Sequence, residues 1–267
     1  MPRVVAKRDN LDERNRGFEQ APLTEPVFLN SVPKSGTHLI RNIMRMFVPV
    51  DQHYHQAFIQ HPVLRQHQAA FSQSMPYLSW GHLLFSDDAA IVLRHVRHIL
   101  LVRDPYDWVL ARARFFLSDT FQGALEHLKG GNVSVDEIFN MMIFGIHQKA
   151  PSLNEIYTHN AVSWLGTKVV VLRFEDLLAH VKELDTEAAE RFFGQLLRDC
   201  GIEMPADWRE RVRIGSDREQ SGTARENLAG GGMFDIPDEL PERQKRLVDF
   251  AAPGLREVLG YSARPSS

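Results

Sequence analysis

The chain has 267 residues, 43% hydrophobic and 24% charged, with a formal net charge of −3. That apolar share fills a sizeable core, and the slight negative balance excludes a nucleic-acid binder that works by broad phosphate neutralisation. Its one cysteine, Cys200, cannot form an intrachain disulfide; with no apolar h-region after Met1 and no run long enough to span a membrane, the expectation is a cytoplasmic protein with no membrane partner.

In chain order, residues 1–25 are polar and read as a loosely attached arm ahead of a single α/β unit over 26–267. A strand is expected over 27–31 and a helix over 36–48, where Leu39, Ile40, Ile43, Met44 and Phe47 recur at helical spacing. Residues 49–79, rich in His, Gln, Pro and Ser, read as irregular or short helical structure lining a cleft. A strand at 98–102 leads through Pro105, whose fixed φ suits a first helical turn, into a helix ending near 117. Apolar residues at 135, 138, 139, 142 and 143 mark another helix, and 154–165 a further one ended by Gly166. A strand at 168–173, helices to about 200, and a last helix over 241–259 complete the pattern. Strands alternating with helices predict an α/β fold: a parallel sheet flanked by helices, with ligands beyond the carboxyl ends of the strands.

The chemistry concentrates where the first strand meets the first helix, at Pro33-Lys34-Ser35-Gly36-Thr37-His38. A strand, a short loop and a helix start make a P-loop-like phosphate holder: free N–H groups of the first turn point at the anion and the helix dipole favours negative charge. Gly36 lets the backbone approach closely, Lys34 adds a full charge, and Ser35 and Thr37 add hydroxyls. The nucleoside-triphosphate pattern places its Lys after the second Gly, and this loop does not. Arg103, between the 98–102 strand and the next helix, is a second residue placed for an anion.

The loop Pro33-Lys34-Ser35-Gly36-Thr37 resembles the 5′-phosphosulfate loop of the sulfotransferases, which move a sulfuryl group from 3′-phosphoadenosine-5′-phosphosulfate (PAPS) to an acceptor. Three further segments follow in the family's order. Arg103-Asp104-Pro105 resembles its 3′-phosphate motif, with Ala111 where the family has Ser. Phe174-Glu175-Asp176-Leu177 resembles a Y-E-D-L segment whose aromatic residue lies beside the adenine, and Thr223 and Arg225 match a late T-x-R motif whose Arg reaches the 3′-phosphate. His82-Leu83 stands where the family's soluble branch carries its catalytic base, with Trp80 in place of a Lys.

The resemblance implies PAPS as donor and its product PAP, Lys34 and His82 as catalytic residues, and Lys34, Ser35, Gly36, Thr37, His38, Arg103, Phe174, Thr223 and Arg225 as donor-binding residues. It implies in-line transfer to a hydroxyl or amine of a small-molecule or glycan acceptor. Aromatic and Met residues in 71–85 and 139–144 read mainly as core. His53 and His55 form a His-x-His pair, but with no Cys or acidic residue at ligand spacing no metal is expected. A small-molecule kinase and a non-catalytic nucleotide-binding protein of the same fold are the alternatives, the second favoured by Ala111 and Trp80.

Overall fold

The structure is a computed structural model that describes residues 3–4, 8–118, 121–122, 125–220 and 235–262. In chain order its elements are β1 (Arg3–Val4), α1 (Leu11–Asn15), β2 (Val27–Ser31), α2 (Thr37–Arg45), β3 (Ile59–Gln60), β4 (Leu78–His82), α3 (Asp87–Val92), β5 (Arg97–Val102) and α4 (Pro105–Phe116). They continue with β6 (Phe121–Gln122), α5 (Val135–Phe144), α6 (Leu153–Asn160), β7 (Val170–Arg173), α7 (Phe174–Lys182), α8 (Glu187–Asp199), α9 (Trp208–Ser216), α10 (Glu242–Ala251) and α11 (Leu255–Val258).

Five strands form one all-parallel sheet in the order β3-β4-β2-β5-β7, and β1 pairs antiparallel with β6 apart from it. Period-2 alternation sends the central strands' side chains to two cores. Phe28, Leu100 and Val102 face α4, α5, α6 and α10, while Val27, Leu29, Ile99 and Leu101 face α2, α8 and α9. Both faces are apolar, which is why β2 and β5 read as near-continuous hydrophobic runs. The register sets Ser31 against Leu101, and the Val32 amide donates to the Leu101 carbonyl at 3.0 Å, so the loops after β2 and β5 leave the sheet side by side.

Several expectations change. Residues 9–25, expected as a loose arm, are packed into the body: Leu11 is fully buried and Leu23 nearly so. Asn15 donates to the carbonyls of Arg45 and Val48, and Arg45 forms ion pairs with Asp9 and Asp12. Two of the acids that make the arm look polar, Asp9 and Asp12, pair with this buried arginine. The 49–79 stretch holds β3 and runs into β4, where Gly81 is decisive: a Cβ there would lie 1.9 Å from the Ile59 carbonyl oxygen. The last helix is broken between α10 and α11, because Pro253 cannot continue it and Gly254 turns left-handed at φ 72°. Phe71, Trp80, Phe139 and Met142 are core, whereas Phe85 and Phe144 stand exposed. Among the described residues no helix is long and apolar enough to cross a membrane.

Candidate functional site

The first strand–loop–helix is built as its residues dictate. Gly36 caps α2 at φ 93°, and Lys34 also takes a left-handed φ of 71°, which few non-glycine residues adopt. The chain thereby turns sharply from β2 into α2, and the first amides of that helix have no carbonyl one turn earlier to accept them. Two aromatic donors brace the turn from behind. The indole N–H of Trp108 in α4 donates to the Pro33 carbonyl, and the hydroxyl of Tyr157 in α6 donates to the Arg103 carbonyl at 2.8 Å.

Arg103 follows β5 directly and lies beside this loop, with one terminal nitrogen 3.4 Å from the Lys34 carbonyl. Its guanidinium is 4.6 Å above the Phe174 ring, and that ring lies against Gly36: a Cβ on Gly36 would meet Phe174 at 2.4 Å. Arg103, Phe174 and the loop therefore form one stack. Among the described residues no carboxylate stands within ion-pair distance of Arg103, and its Nε, although buried, has no hydrogen-bond partner. Asp104, its neighbour in sequence, caps α4 and pairs with Arg256 at 2.8 Å. Burial holds the Arg103 pKa below its ordinary value, with Asp107 and Glu175 opposing. Ser35 Oγ is a second buried donor with no partner.

The segment at Phe174 is fixed by its own acids. Glu175 accepts from the Asp104 amide at 3.0 Å and from the Tyr261 hydroxyl at 2.7 Å, tying the start of α7 to the Arg103 loop and to Tyr261 after α11. Asp176 pairs with Arg173.

His82 ends β4 on the same edge of the sheet. Its Nδ1 lies 2.8 Å from the Ser31 carbonyl and 3.2 Å from Ser31 Oγ, which in turn is 2.7 Å from Thr37 Oγ1. A carbonyl only accepts, so Nδ1 carries the hydrogen and Nε2 keeps its lone pair. Burial pulls the His82 pKa down to about 4, with Lys34 and His38 adding to the effect, so the ring is neutral at pH 7. His38 is likewise lowered to about 4 by burial, then by Arg41 and Lys34. These cross-influences bring Lys34, His38 and His82 together at one place. The Lys34 ammonium rests 3.3 Å above the Phe115 ring.

At Trp80, where the sequence resemblance would place a Lys, Arg41 lies 4.5 Å above the ring, one helical turn beyond His38. Arg112 and Arg114 do not substitute for the hydroxyl missing at Ala111. Arg112 donates to the Met142 and Pro151 carbonyls, and Arg114 binds the Pro237 carbonyl and Asp238. Thr223 and Arg225 lie outside the described residues.

Sequence reasoning passed over several supports. Asn30 holds Leu83 through both backbone groups, at 3.0 and 2.9 Å, and Asn160 and Trp164 also donate to the Leu83 carbonyl. A polar Asn-Ser pair ending an apolar strand was the available signal for Asn30 and Ser31. Nothing local marks Trp108 or Tyr157, whose partners lie 75 and 54 residues away.

No protein-family model matches the sequence, and no curated protein sequence matches it either. Among solved structures the chain is similar to mouse sulfotransferase SULT7A1 complexed with PAP. The TM-score is 0.53 at 13% identity, over 95% of this chain and 89% of that one. A retinol dehydratase in complex with androsterone and PAP aligns at TM-score 0.44 and 13% identity, over 90% and 82% of the two chains. The fold is therefore sulfotransferase-like, an all-parallel sheet flanked by helices.

Proposed function

We propose that this chain is a PAPS-dependent sulfotransferase that moves a sulfuryl group to a hydroxyl or amine of a small-molecule or glycan acceptor. One observation carries the reading. Two buried donors with no protein partner, Arg103 Nε and Ser35 Oγ, sit on adjacent strand–loop–helix turns. Buried polar groups are normally satisfied, so a pair of orphans at a helix start calls for an anion. The sulfotransferase-like fold and the PAP held by the mouse protein of that fold agree with it.

In this reading the first-turn amides of α2, with Ser35, Thr37 and His38, hold the 5′-phosphosulfate. Arg103, with Arg225, holds the 3′-phosphate that separates PAPS from ATP. Phe174, already stacked under Arg103, borders the adenine. PAPS supplies the sulfuryl group and departs as PAP. Lys34 swings from its rest over Phe115 to neutralise charge on the departing bridging oxygen. His82 Nε2 takes the acceptor proton as the acceptor oxygen bonds to sulfur and the bridging S–O bond breaks. Its Nδ1–H stays on the Ser31 carbonyl, which stabilises the imidazolium formed.

The acceptor reaches His82 past Phe58, whose ring packs edge-on at 4.8 Å and is 36% exposed. Leu84 and Phe85 are also exposed beyond it. This apolar rim favours a lipophilic or aromatic alcohol over a polysaccharide.

Thermal-shift measurements with PAP, 5′-AMP and ATP–Mg²⁺, followed by turnover of PAPS with an acceptor panel read by mass spectrometry, test the proposal. PAP should stabilise the protein and 5′-AMP should do so much less. Stabilisation by ATP–Mg²⁺ without any by PAP would sink it in favour of a kinase. Binding of PAP with no turnover across the panel leaves a nucleotide-binding protein instead.

A further inference from the structure

The acid nearest the His53/His55 pair in sequence, Asp51, is not in the cluster those rings form; folding brings Asp12 there instead. Asp12, 41 residues earlier than His53, places Oδ1 3.3 Å from His53 Nδ1 and Oδ2 3.4 Å from His55 Nε2. The three ligand atoms all lie within 4.8 Å of one another. We propose that Asp12, His53 and His55 form a binding site for one divalent transition-metal ion, with zinc the best-fitting candidate. The inference does not rest on the sulfotransferase reading.

Ligand spacing is the first argument. Zinc held at about 2.0–2.1 Å by nitrogen and oxygen in a tetrahedron separates its ligand atoms by about 3.3–3.4 Å. Each Asp12 oxygen meets that edge with one histidine, Oδ1 with His53 Nδ1 at 3.3 Å and Oδ2 with His55 Nε2 at 3.4 Å, so the carboxylate can bind through either oxygen.

The second argument is the orientation of His53, whose side chain has no solvent exposure. Its Nε2 lies 2.9 Å from the Val48 carbonyl, so the hydrogen of the neutral ring is on Nε2. Nδ1 then turns a lone pair toward a carboxylate oxygen at 3.3 Å. Two acceptors facing each other need a cation between them. A histidine whose outer nitrogen donates to a backbone carbonyl while the inner one faces an acidic ligand is the usual outer-shell arrangement of a metal site.

The outer shell extends to the carboxylate. Arg45 donates to Asp12 Oδ1 at 2.7 Å and is itself fixed by both oxygens of Asp9 at 3.0 Å. Asp12 is thereby oriented before any ion arrives. Arg45 and the nearby Arg41 also reduce the negative potential the ion meets, which disfavours hard ions held mainly by charge. Two imidazoles and one carboxylate suit zinc or cobalt rather than calcium or magnesium.

Access is open, since the side chains of His55 and Asp12 are 44% and 32% exposed. A water completes the coordination from that side. The ion would staple α1 to the segment that leads into β3, beside Trp80, whose ring is 5.9 Å from that of His55.

Chelator-stripped full-length protein, dialysed against Zn²⁺ and assayed by mass spectrometry for bound metal, tests this. One equivalent should be retained and Tm should rise with zinc. Cobalt in its place should give the visible absorption of a four-coordinate site. His55→Ala removes an exposed ligand and should leave the far-ultraviolet circular dichroism unchanged; it should lose both the bound equivalent and the Tm rise. Asp12→Asn should weaken binding at least ~10-fold. No uptake by the wild-type chain overturns the proposal. Equal uptake by wild type and His55→Ala assigns the zinc to other histidines and overturns it as well.

Discussion

Arg103→Met separates binding from folding by moving them in opposite directions. In the unliganded protein Arg103 is a buried guanidinium with, among the described residues, no carboxylate in ion-pair reach, an unsatisfied Nε and one long contact of 3.4 Å to a carbonyl. The favourable term it keeps is its position over Phe174, about 0.5–2 kcal/mol for a partly desolvated cation–π pair. The cost of holding the charge out of water is of similar size or larger, since exchanging buried charge for apolar side chains is neutral or stabilising by about 1–4 kcal/mol. Methionine keeps the length and the ring contact, so the unliganded variant should be as stable as wild type or slightly more so in urea unfolding.

Binding of PAP should suffer heavily. Two charge-assisted hydrogen bonds to a phosphate, at about 1.5–3 kcal/mol each, amount to about 3–6 kcal/mol, or a roughly 10²- to 10⁴-fold weaker Kd by titration calorimetry. Binding of 5′-AMP, which lacks the 3′-phosphate, should change little. A variant that loses more than about 1 kcal/mol of unliganded stability refutes the idea of an uncompensated cation. A variant that binds PAP as tightly as wild type refutes the assignment of Arg103 to a phosphate.

Gly36→Ala forces a Cβ to 2.4 Å from Phe174 at φ 93°, so the ring must move or the turn must reshape. We expect about 1–3 kcal/mol of destabilisation and loss of measurable PAP binding by calorimetry, and retained affinity would contradict the stack described here. The His82 base is active when neutral, so turnover should be flat across neutral pH and fall as pH drops toward about 4; a break near the ordinary 6.5 would show that His82 is not the titrating base. His98 is buried against Phe28 and Trp164 with no partner for Nε2, and burial pulls its pKa down to about 3. The unfolded chain takes up this proton near 6.5 and the folded one only near 3, so acid costs about 1.4 kcal/mol per pH unit through that window. His98→Phe should therefore shift the acid-unfolding midpoint downward, and an unchanged midpoint would place the acid sensitivity elsewhere.

The parallel sheet and the loop at Lys34 were legible because local pattern and tertiary role coincide there. Val27–Ser31 is apolar because both faces are covered, and Gly36 is glycine because the turn and Phe174 require it. Arg103 was legible for the same reason, standing at a strand end before a helix. What stayed hidden depends on distant partners. The acidic neighbour of the histidine pair, Asp12, arrives from another element, and a polar leader reads as loose until Arg45 is seen buried beneath it. β3 was hidden by its length of two residues, its place secured by the missing side chain at Gly81 and not by its own propensity.

The docking of the leader also sets an order of assembly. Arg211 of α9 binds the Glu19 carbonyl at 2.7 Å and the Gln20 side chain at 2.9 Å, and its guanidinium lies 4.7 Å over Phe18. Glu19 and Arg211 are 192 residues apart. At ~5–20 residues per second, synthesis needs on the order of 10–40 s to bring the second after the first. For that interval a nascent chain has Leu11, Phe18 and Leu23 without the helix that finishes their side of the core. Residues 11–23 thus leave the ribosome well before α9 and are among the last to seat, which makes that face the place where chaperone capture or aggregation competes with folding.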